Sequence, residues 1–277
     1  MSSSYTSISS DKLLRLLGSS KGPVLIDVRP DEEYAADPRL VAGSSRRDHA
    51  SVADWAPALA GRPAIVISRG GAALGPGVAA LLRGAGVHAD VLEGGFEAWA
   101  KLGLPLIPDA KLPPRDNIGR TVWVTRARPK VDRIACPWLI RRFVDPQAVF
   151  LFVAPSEVFA VAERFTAAPF DIDGAFWGHR NQHCTFDALI EELGLATKAL
   201  QRLAVIVRGA DTGHPELAPE SAGLLAASLG LSRLYADDLQ QLEAGITLYD
   251  ALYRWCRDAV DESHSHAALH AKAGQKT

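Results

Sequence analysis

The stretch VLIDVRPDEEY at residues 24–34 decides the fold of the first part of the chain. It opens with a short, β-branched, apolar run, and the run AIVIS at residues 64–68 has the same character. Such runs are typical of buried parallel strands. Helical patterns that end in glycine precede and follow them, DKLLRLLG at residues 11–18 and GVAALLRGAG at residues 77–86. Strands that alternate with helices predict a parallel α/β sheet covered on both faces.

A second domain is predicted beyond a proline-rich segment. Residues 107–118 carry three prolines and no periodicity, so we interpret them as a linker. The 277 residues favour two domains, here residues 8–106 and 119–260. The second begins with strand patterns, TVWVTRA and AVFLFVA with APFDI as a third candidate, and becomes mostly helical from Thr185. Residues 261–277 are rich in Ala, Ser, His and Lys and are predicted to be disordered.

The composition excludes several classes of protein. Lys and Arg number 30 and Asp and Glu 32, so the chain lacks the basic character of a general nucleic-acid binder. Three cysteines are too few for a disulfide framework and favour a reducing compartment. We see no leader peptide and no apolar run of the ~20 residues that a membrane helix needs. A cytoplasmic protein without a membrane partner is the expectation.

The first domain resembles a rhodanese-like domain. VLIDVRPDEEY, AIVISRGGAALGPGVAALLRGAG and VLEGGFEAWAKLGLPL occur in the order and spacing of that family. The resemblance implies a five-stranded parallel sheet and an active-site loop between a strand and a helix. In an active rhodanese, a cysteine at the end of the strand carries the sulfur. Here Ser68 occupies that position, and Ala73 stands where the family often has an arginine.

Two interpretations of this loop remain open. A hydroxyl cannot carry a persulfide, so the domain is predicted to be inactive as a sulfurtransferase. The loop could still bind an oxyanion through Ser68, Arg69 and Gly71, with backbone N–H groups at a helix N-terminus. Alternatively, the domain is a scaffold that docks a protein partner and leaves the pocket empty.

The second domain resembles the C-terminal domain of the chromate-resistance protein B family. The resemblance rests on WVTRARPKVDRIACPWLIRRFVDP, PFDIDGAFWGHRNQHCTFDALIEELGL, LAVIVRGADTG and LYDALYRWC, which occur in that order, and it covers about residues 120–258. It implies a role in bacterial tolerance of chromate, a stress response. The family's usual N-terminal region is regulatory and differs from the rhodanese-like domain found here, which puts transcriptional regulation in doubt.

A basic segment opens the second domain. Seven Arg and Lys side chains lie between residues 120 and 142, and Asp132 is the one acidic residue among them. This local excess indicates either an anionic partner or a solvated face. Arg128, Lys130 and Arg133 are the candidates for binding chromate or a similar oxyanion.

Two cysteines are candidates for thiol chemistry. Pro137 predicts a helix that begins there, which would place Cys136 at its N-terminus. Cys184 precedes Thr185, an expected N-cap. Thiolates are stabilised at helix N-termini, so Cys136 and Cys184 are predicted to react with an oxidising oxyanion. The alternative for each is a small buried core residue.

A third set of residues predicts a metal site. The segment GHRNQHC, in a predicted loop, brings His179 and Cys184 together, with Asp171 and Asp173 just upstream. Asp211 in RGADTG adds a carboxylate. Zn²⁺ or Fe²⁺ would accept His179, Cys184 and Asp211, although no CxxC or HExxH motif is present. The alternative is a polar network that holds loops together.

Three functions therefore remain open. The first is an accessory protein in chromate resistance that binds an oxyanion or a metal in its second domain. The second is a non-catalytic sensor or interaction protein in the chromate response. The third is a metal-dependent redox enzyme or a residual sulfurtransferase. The sequence leaves open whether any reaction is catalysed, which metal is bound and how many chains assemble.

Overall fold

The computed structural model of the chain describes residues 6–262. Most of the predicted disordered tail, with His264, His266 and His270, lies outside the described residues. Within the described part, no helix is long and apolar enough to cross a membrane.

The first half of the chain forms the predicted five-stranded parallel sheet. Its strands are β1 (Ser7–Ile8), β2 (Val24–Asp27), β4 (Ser44–Arg46), β5 (Ala64–Ile67) and β6 (Ala89–Leu92), with β3 (Arg39–Val41) outside this sheet. The spatial order is β1-β6-β5-β2-β4, and every pair is parallel. The helices are α1 (Ser10–Leu16), α2 (Asp31–Ala36), α3 (Val52–Trp55), α4 (Leu74–Gly84) and α5 (Gly95–Lys101).

Both faces of this sheet are buried, as the apolar strands predict. Alternate strand residues belong to two different apolar clusters: Leu25 and Ile65 face one, while Ile26 and Val66 face the other. The cluster around Ile26 and Val66 includes residues of α3 and α4, whereas the other includes residues of α1 and α5. The α/β architecture is therefore confirmed.

A buried ion pair joins the two most characteristic motifs of the first domain. The guanidinium of Arg29 donates three hydrogen bonds to the Asp27 carboxylate at the end of β2, with Nη2 2.7 Å from Oδ2. The same guanidinium lies 3.7 Å from the ring centroid of Phe96 in α5. Because both ions are almost fully buried, each needs the other, and the pair fixes the end of the strand.

The second half consists of a small sheet followed by helices, as predicted. Strands β8 (Val122–Arg126), β9 (Val149–Val153) and β10 (Ala168–Pro169) form a parallel sheet in the order β10-β8-β9. Its helices are α6 (Asp132–Phe143), α7 (Val158–Phe165), α8 (Thr185–Glu192), α9 (Lys198–Asp211), α10 (Glu220–Leu234) and α11 (Asp238–Asp258).

The two halves share one apolar core. Leu13 and Trp99 of the first half belong to the same buried cluster as Trp138 and Tyr253 of the second. Contact is so close at Gly18 that a Cβ atom there would lie 2.5 Å from atoms of Phe143 and Tyr253. We therefore expect the halves to move together.

The predicted linker is partly built into the fold. Strand β7 (Leu106–Pro108) pairs antiparallel with β3, and Lys111 forms a 2.6 Å ion pair with Glu192 of α8. The prolines mark the irregular backbone here, but the segment packs against both halves instead of separating them.

Candidate functional site

An acid–histidine cluster, which we define as Asp132, Asp171, His179 and Asp211, forms where four segments of the second domain meet. Asp132 is the first residue of α6, Asp211 is the last residue of α9, and Asp171 and His179 lie in the loops between β10 and α8. The Nε2 atom of His179 lies 3.1 Å from Asp211 Oδ2, 3.3 Å from Asp171 Oδ1 and 3.7 Å from Asp132 Oδ2. One imidazole nitrogen thus faces three carboxylates.

Asp132 is the most deeply buried member of the cluster. Its Oδ2 atom accepts hydrogen bonds from the backbone N–H groups of Thr185, at 2.6 Å, and Phe186, at 3.3 Å. These N–H groups belong to the first turn of α8, where unpaired donors favour negative charge. Its Oδ1 atom is buried and has no partner among residues 6–262. Burial, with the charges of Asp211 and Asp171, raises the pKa of Asp132 well above its usual range.

Asp171 is held as a carboxylate by its neighbours. Burial opposes its charge, but the hydrogen bond to His179 and the charges of Arg133 and Arg126 outweigh it, so the pKa of Asp171 is lowered. Its Oδ2 atom lies 3.1 Å from Arg126 Nη2 and 3.2 Å from Arg133 Nε. Its Oδ1 atom accepts a 3.0 Å hydrogen bond from the Thr185 hydroxyl.

His179 connects the cluster to solvent. Hydrogen bonds to Asp171 and Asp211 raise the pKa of His179 from 6.5 to about 10, so the imidazole is a cation at neutral pH. Its side chain is 45% exposed. A cavity of about 380 Å³, lined in part by Arg126, Asp171, Asp173, Gly178 and His179, opens on this side. A small solute can therefore reach the imidazole.

The donor set fits a metal ion. One ligand atom each of Asp132, His179 and Asp211 lies within 4.8 Å of the other two. Carboxylate oxygens with an imidazole nitrogen suit Fe²⁺, Mn²⁺ or Zn²⁺. Asp171 stands beside them as a fourth donor and would be the third oxygen of the set.

The structure brings together part of the predicted metal set. His179 and Asp211 meet, but Cys184 lies at the N-cap of α8, where its Sγ donates to Asp187 Oδ2 at 3.3 Å. Asp132 was missed as a ligand, although it is the single acid of a basic segment and stands between a strand and a helix. Asp171 was indicated only by its place near His179.

The structure places both candidate cysteines in surroundings that disfavour a thiolate. Helix α6 begins at Asp132, so Cys136 lies inside it and Pro137 is an internal residue. Burial, followed by the charge of Asp132, raises the pKa of Cys136. Cys184, and not Thr185, is the N-cap of α8, but burial and the carboxylates of Asp132 and Asp187 raise its pKa despite the helix end. Both thiols are therefore protonated at neutral pH.

The three predicted anion ligands of the basic segment lie in different environments. Arg128 donates to the carbonyl groups of Ser232 and Tyr235 at the end of α10. Lys130 is exposed. Arg133 donates to the carbonyl groups of Arg126 and Ala127 and pairs with Asp171. Of this segment, Arg126 is the residue that lines the cavity, and sequence reasoning did not single it out.

The Ser68 loop, residues 68–73, is closed. The Ser68 hydroxyl is buried, has no partner within the described part of the chain, and would lie 2.8 Å from a Cβ at Gly75. Gly95 abuts the backbone of Ser68 and Gly71, so no side chain fits there. Arg69 is exposed and pairs with Glu97 at 2.6 Å. The Ser68 hydroxyl is therefore closed off from solvent, and Arg69 points to the exposed carboxylate of Glu97.

Comparison with known proteins finds a family match for each half. Residues 9–102 match the rhodanese-like domain, in agreement with the parallel sheet and the loop after β5. Residues 123–256, which contain the acid–histidine cluster, match the C-terminal domain of ChrB. The chain therefore contains one region similar to a rhodanese-like domain and one similar to the ChrB C-terminal domain, and both predicted resemblances are confirmed.

Individual relatives cover only parts of the molecule. Protein ChrB of Cupriavidus metallidurans is 39% identical over 133 residues, which are 47% of this chain and 39% of that protein. A rhodanese-related protein of Thermoplasma volcanium is 22% identical, with a TM-score of 0.33, and the match covers 38% of this chain and all of that one. A rhodanese-like domain protein of Staphylococcus aureus is 27% identical, with a TM-score of 0.31, and the match covers 34% of this chain and 90% of that one.

Proposed function

We propose that the second domain binds one transition-metal ion at the acid–histidine cluster and that the protein serves chromate tolerance through this site. The observation that carries the proposal is the convergence of three carboxylates on His179 Nε2 within 3.7 Å. The relation to ChrB supports the link to chromate.

The charges of the metal-free cluster favour a cation. Arg126 and Arg133 both approach Asp171 Oδ2, which leaves Asp132 and Asp211 to share the single positive charge of His179. Buried carboxylates without matching cations are costly. A divalent ion that displaces the His179 proton supplies one more positive charge to these carboxylates and gives Asp132 Oδ1 a partner.

The ligand types indicate which ions fit. Oxygen donors outnumber nitrogen, and the cysteine expected among the ligands is turned to Asp187. Such a set suits Fe²⁺, Mn²⁺ or Zn²⁺ better than a soft, thiolate-preferring ion. Both candidate cysteines are protonated, so the proposed function uses no thiolate.

The cavity supplies a place for the anion. It opens beside His179, and Arg126 on its wall has a buried Nε with no partner among the described residues. A tetrahedral dianion such as chromate in this cavity would contact the Arg126 guanidinium and lie next to the metal site. Arg133, bound to Asp171 and two carbonyl groups, holds the metal ligands in place.

Metal content tests the first part of the proposal. The full chain, purified without a histidine tag, is dialysed against Fe²⁺, Mn²⁺ and Zn²⁺ in turn and analysed by plasma mass spectrometry. We expect about one ion per chain for the wild type and His183→Gln, and at least a tenfold lower content for His179→Gln. Equal contents in the two variants would refute the site, because His183 lies in the same loop but outside the cluster.

Chromate binding tests the second part. The affinity of the metal-loaded protein for chromate, measured by titration, is expected to fall about tenfold in Arg126→Ala, because a charged hydrogen bond is lost. Arg164→Ala, which changes an exposed arginine on α7, should bind like the wild type. Equal affinity in all three proteins would remove Arg126 from the site.

The rhodanese-like domain is proposed to be inactive in sulfur transfer. The sealed Ser68 hydroxyl cannot carry a persulfide, and Arg69 is engaged by Glu97. We expect no thiocyanate from thiosulfate and cyanide, either with the wild type or with Ser68→Cys. Turnover by the unaltered protein would overturn this part.

A further inference from the structure

A cavity of about 240 Å³ lies at the boundary between the two halves, away from both sites described above. Its apolar wall is formed by residues of the rhodanese-like domain, among them Ile26, Leu40, Trp55 and Leu59. Its other wall is formed by residues 115, 119 and 145–147. No residue of the Ser68 loop or of the acid–histidine cluster lines it.

The polar part of this boundary cavity is strongly basic. Arg46, Arg47, Arg62 and Arg115 line it. Arg46 pairs with Asp31, and Arg115 lies 3.5 Å from Asp145. Arg47 and Arg62 are exposed and have no acidic partner within residues 6–262.

The carboxylates of the cavity do not neutralise these arginines. Asp145 is buried, and its Oδ2 atom already accepts from the backbone N–H and the hydroxyl of Thr121. Asp109 is exposed and is the other acid of the lining. In addition, the Nε atom of Arg46 is buried without a partner in the described structure. The cavity therefore combines an apolar wall with uncompensated positive charge.

We infer that this boundary cavity binds a small aromatic carboxylate. An aromatic ring suits the wall formed by Trp55 and the aliphatic side chains, because apolar burial and ring contacts supply the affinity. A carboxylate suits Arg47 and Arg62, because a guanidinium binds it through two parallel hydrogen bonds. The volume lies below the ~300 Å³ at which pockets for drug-sized ligands begin, so the ligand is small.

A ligand in this position contacts both halves of the molecule. Its ring lies against β2 and α3 of the rhodanese-like domain, while the opposite wall belongs to the segment that leads into β8 and to the turn after α6. Binding therefore stabilises the boundary between the halves, and the free energy of unfolding rises with ligand concentration.

Nuclear magnetic resonance of the full chain tests the inference with benzoate as the probe. The indole N–H signal of Trp55 is assigned by its loss in Trp55→Phe. Benzoate is expected to shift this signal saturably, whereas benzamide, which has the same shape without the charge, binds at least tenfold more weakly. Arg62→Ala should lower the affinity for benzoate about tenfold, because a charged hydrogen bond is lost.

Two further variants make the test specific. Ala58→Phe places a ring in the cavity from the exposed Ala58 and should abolish the shift without a change of charge. Arg164→Ala should leave the affinity unchanged. The inference fails if benzamide binds as tightly as benzoate, if Ala58→Phe binds normally, or if no saturable shift occurs. Tighter binding of sulfate than of benzoate at the same signal would also overturn it, since the cavity would then be a plain anion site.

Discussion

The Ser68 loop and the acid–histidine cluster occupy similar places in their domains but have opposite character. Ser68 follows strand β5 and precedes α4, and Asp132 lies between β8 and the body of α6. The Ser68 loop is packed against glycine backbone and its hydroxyl is sealed. In the cluster, side chains from separate elements converge beside a cavity that reaches His179.

The comparison shows that the parallel α/β fold forms without an accessible nucleophile in the loop after β5. The parallel sheet of the rhodanese-like domain depends on apolar strands and the Asp27–Arg29 pair, none of which requires a nucleophile. Chemistry needs polar groups that are both reachable and short of partners. In the second domain these two conditions are divided between neighbouring side chains: His179 is exposed, and Asp132 Oδ1 has no partner among residues 6–262.

The largest expected effect tests how tightly the Ser68 loop is closed. In Gly95→Ala, the new Cβ would lie 2.5 Å from the backbone nitrogen of Gly71, at a φ of +58°. We expect the free energy of unfolding to fall by about 3 kcal/mol or more. The matched control is Gly103→Ala, at a φ of +65° in open space, which should cost about 1 kcal/mol in chemical denaturation. Equal losses would mean that the loop is not closely packed.

The second effect separates metal binding from folding in the cluster. Asp132→Asn keeps an oxygen for the N–H groups of Thr185 and Phe186 and removes a charge that its neighbours repel. We expect the metal affinity to fall about 100-fold, or about 2.7 kcal/mol, while the stability of the metal-free protein changes by less than about 1 kcal/mol. Asp173→Asn, at an exposed residue of the cavity, is the control. A parallel loss of stability and affinity would make Asp132 purely structural.

A third effect concerns pH. The pKa of His179 is about 10 in the metal-free protein, so a metal must displace its proton at neutral pH. Between pH 7 and 9 we expect the affinity to rise at least tenfold per pH unit and at least one proton to be released per ion, because any proton on Asp132, whose pKa is also raised, must leave as well. Titration in a weakly buffered solution measures that proton. Affinity that does not change over this range would contradict His179 as a ligand.

Without metal, the stability of the cluster has the opposite dependence on pH. The folded-state pKa of His179 is raised above 6.5, so its stabilising contribution is complete below pH 6.5 and is lost as the pH rises through about 10. Denaturation of the metal-free protein across that window should therefore show falling stability, and His179→Gln should remove this component.

The smallest expected effect lies at the surface of the Ser68 loop. Arg69 and Glu97 form a 2.6 Å ion pair, but both side chains are more than half exposed. Arg69→Ala should change the free energy of unfolding by at most about 0.5 kcal/mol, since exposed pairs are screened by water. Arg133→Ala, which leaves the buried Asp171 without one cation, should cost more in the same measurement. A larger loss in Arg69→Ala would show that the loop depends on its surface pair.

The sequence determined the architecture of this protein because the signals for it are local. The runs VLIDV and AIVIS predicted buried parallel strands, and the strands are there with residues facing two apolar clusters. The helical patterns after Thr185 were equally informative. Strand and helix periodicity requires only neighbouring residues, so it can be read without knowing the path of the chain.

The tertiary structure alone decided the site. His179 and Asp211 were predicted as ligands, but Asp132 precedes Asp211 by 79 residues, and no local pattern relates them. Likewise, a position at a helix N-terminus predicted a lowered pKa and a thiolate at Cys184. Burial and two neighbouring carboxylates raise the pKa of this thiol instead. Convergence of side chains and the solvent left around them depend on how distant segments pack, and periodicity carries no information about that packing.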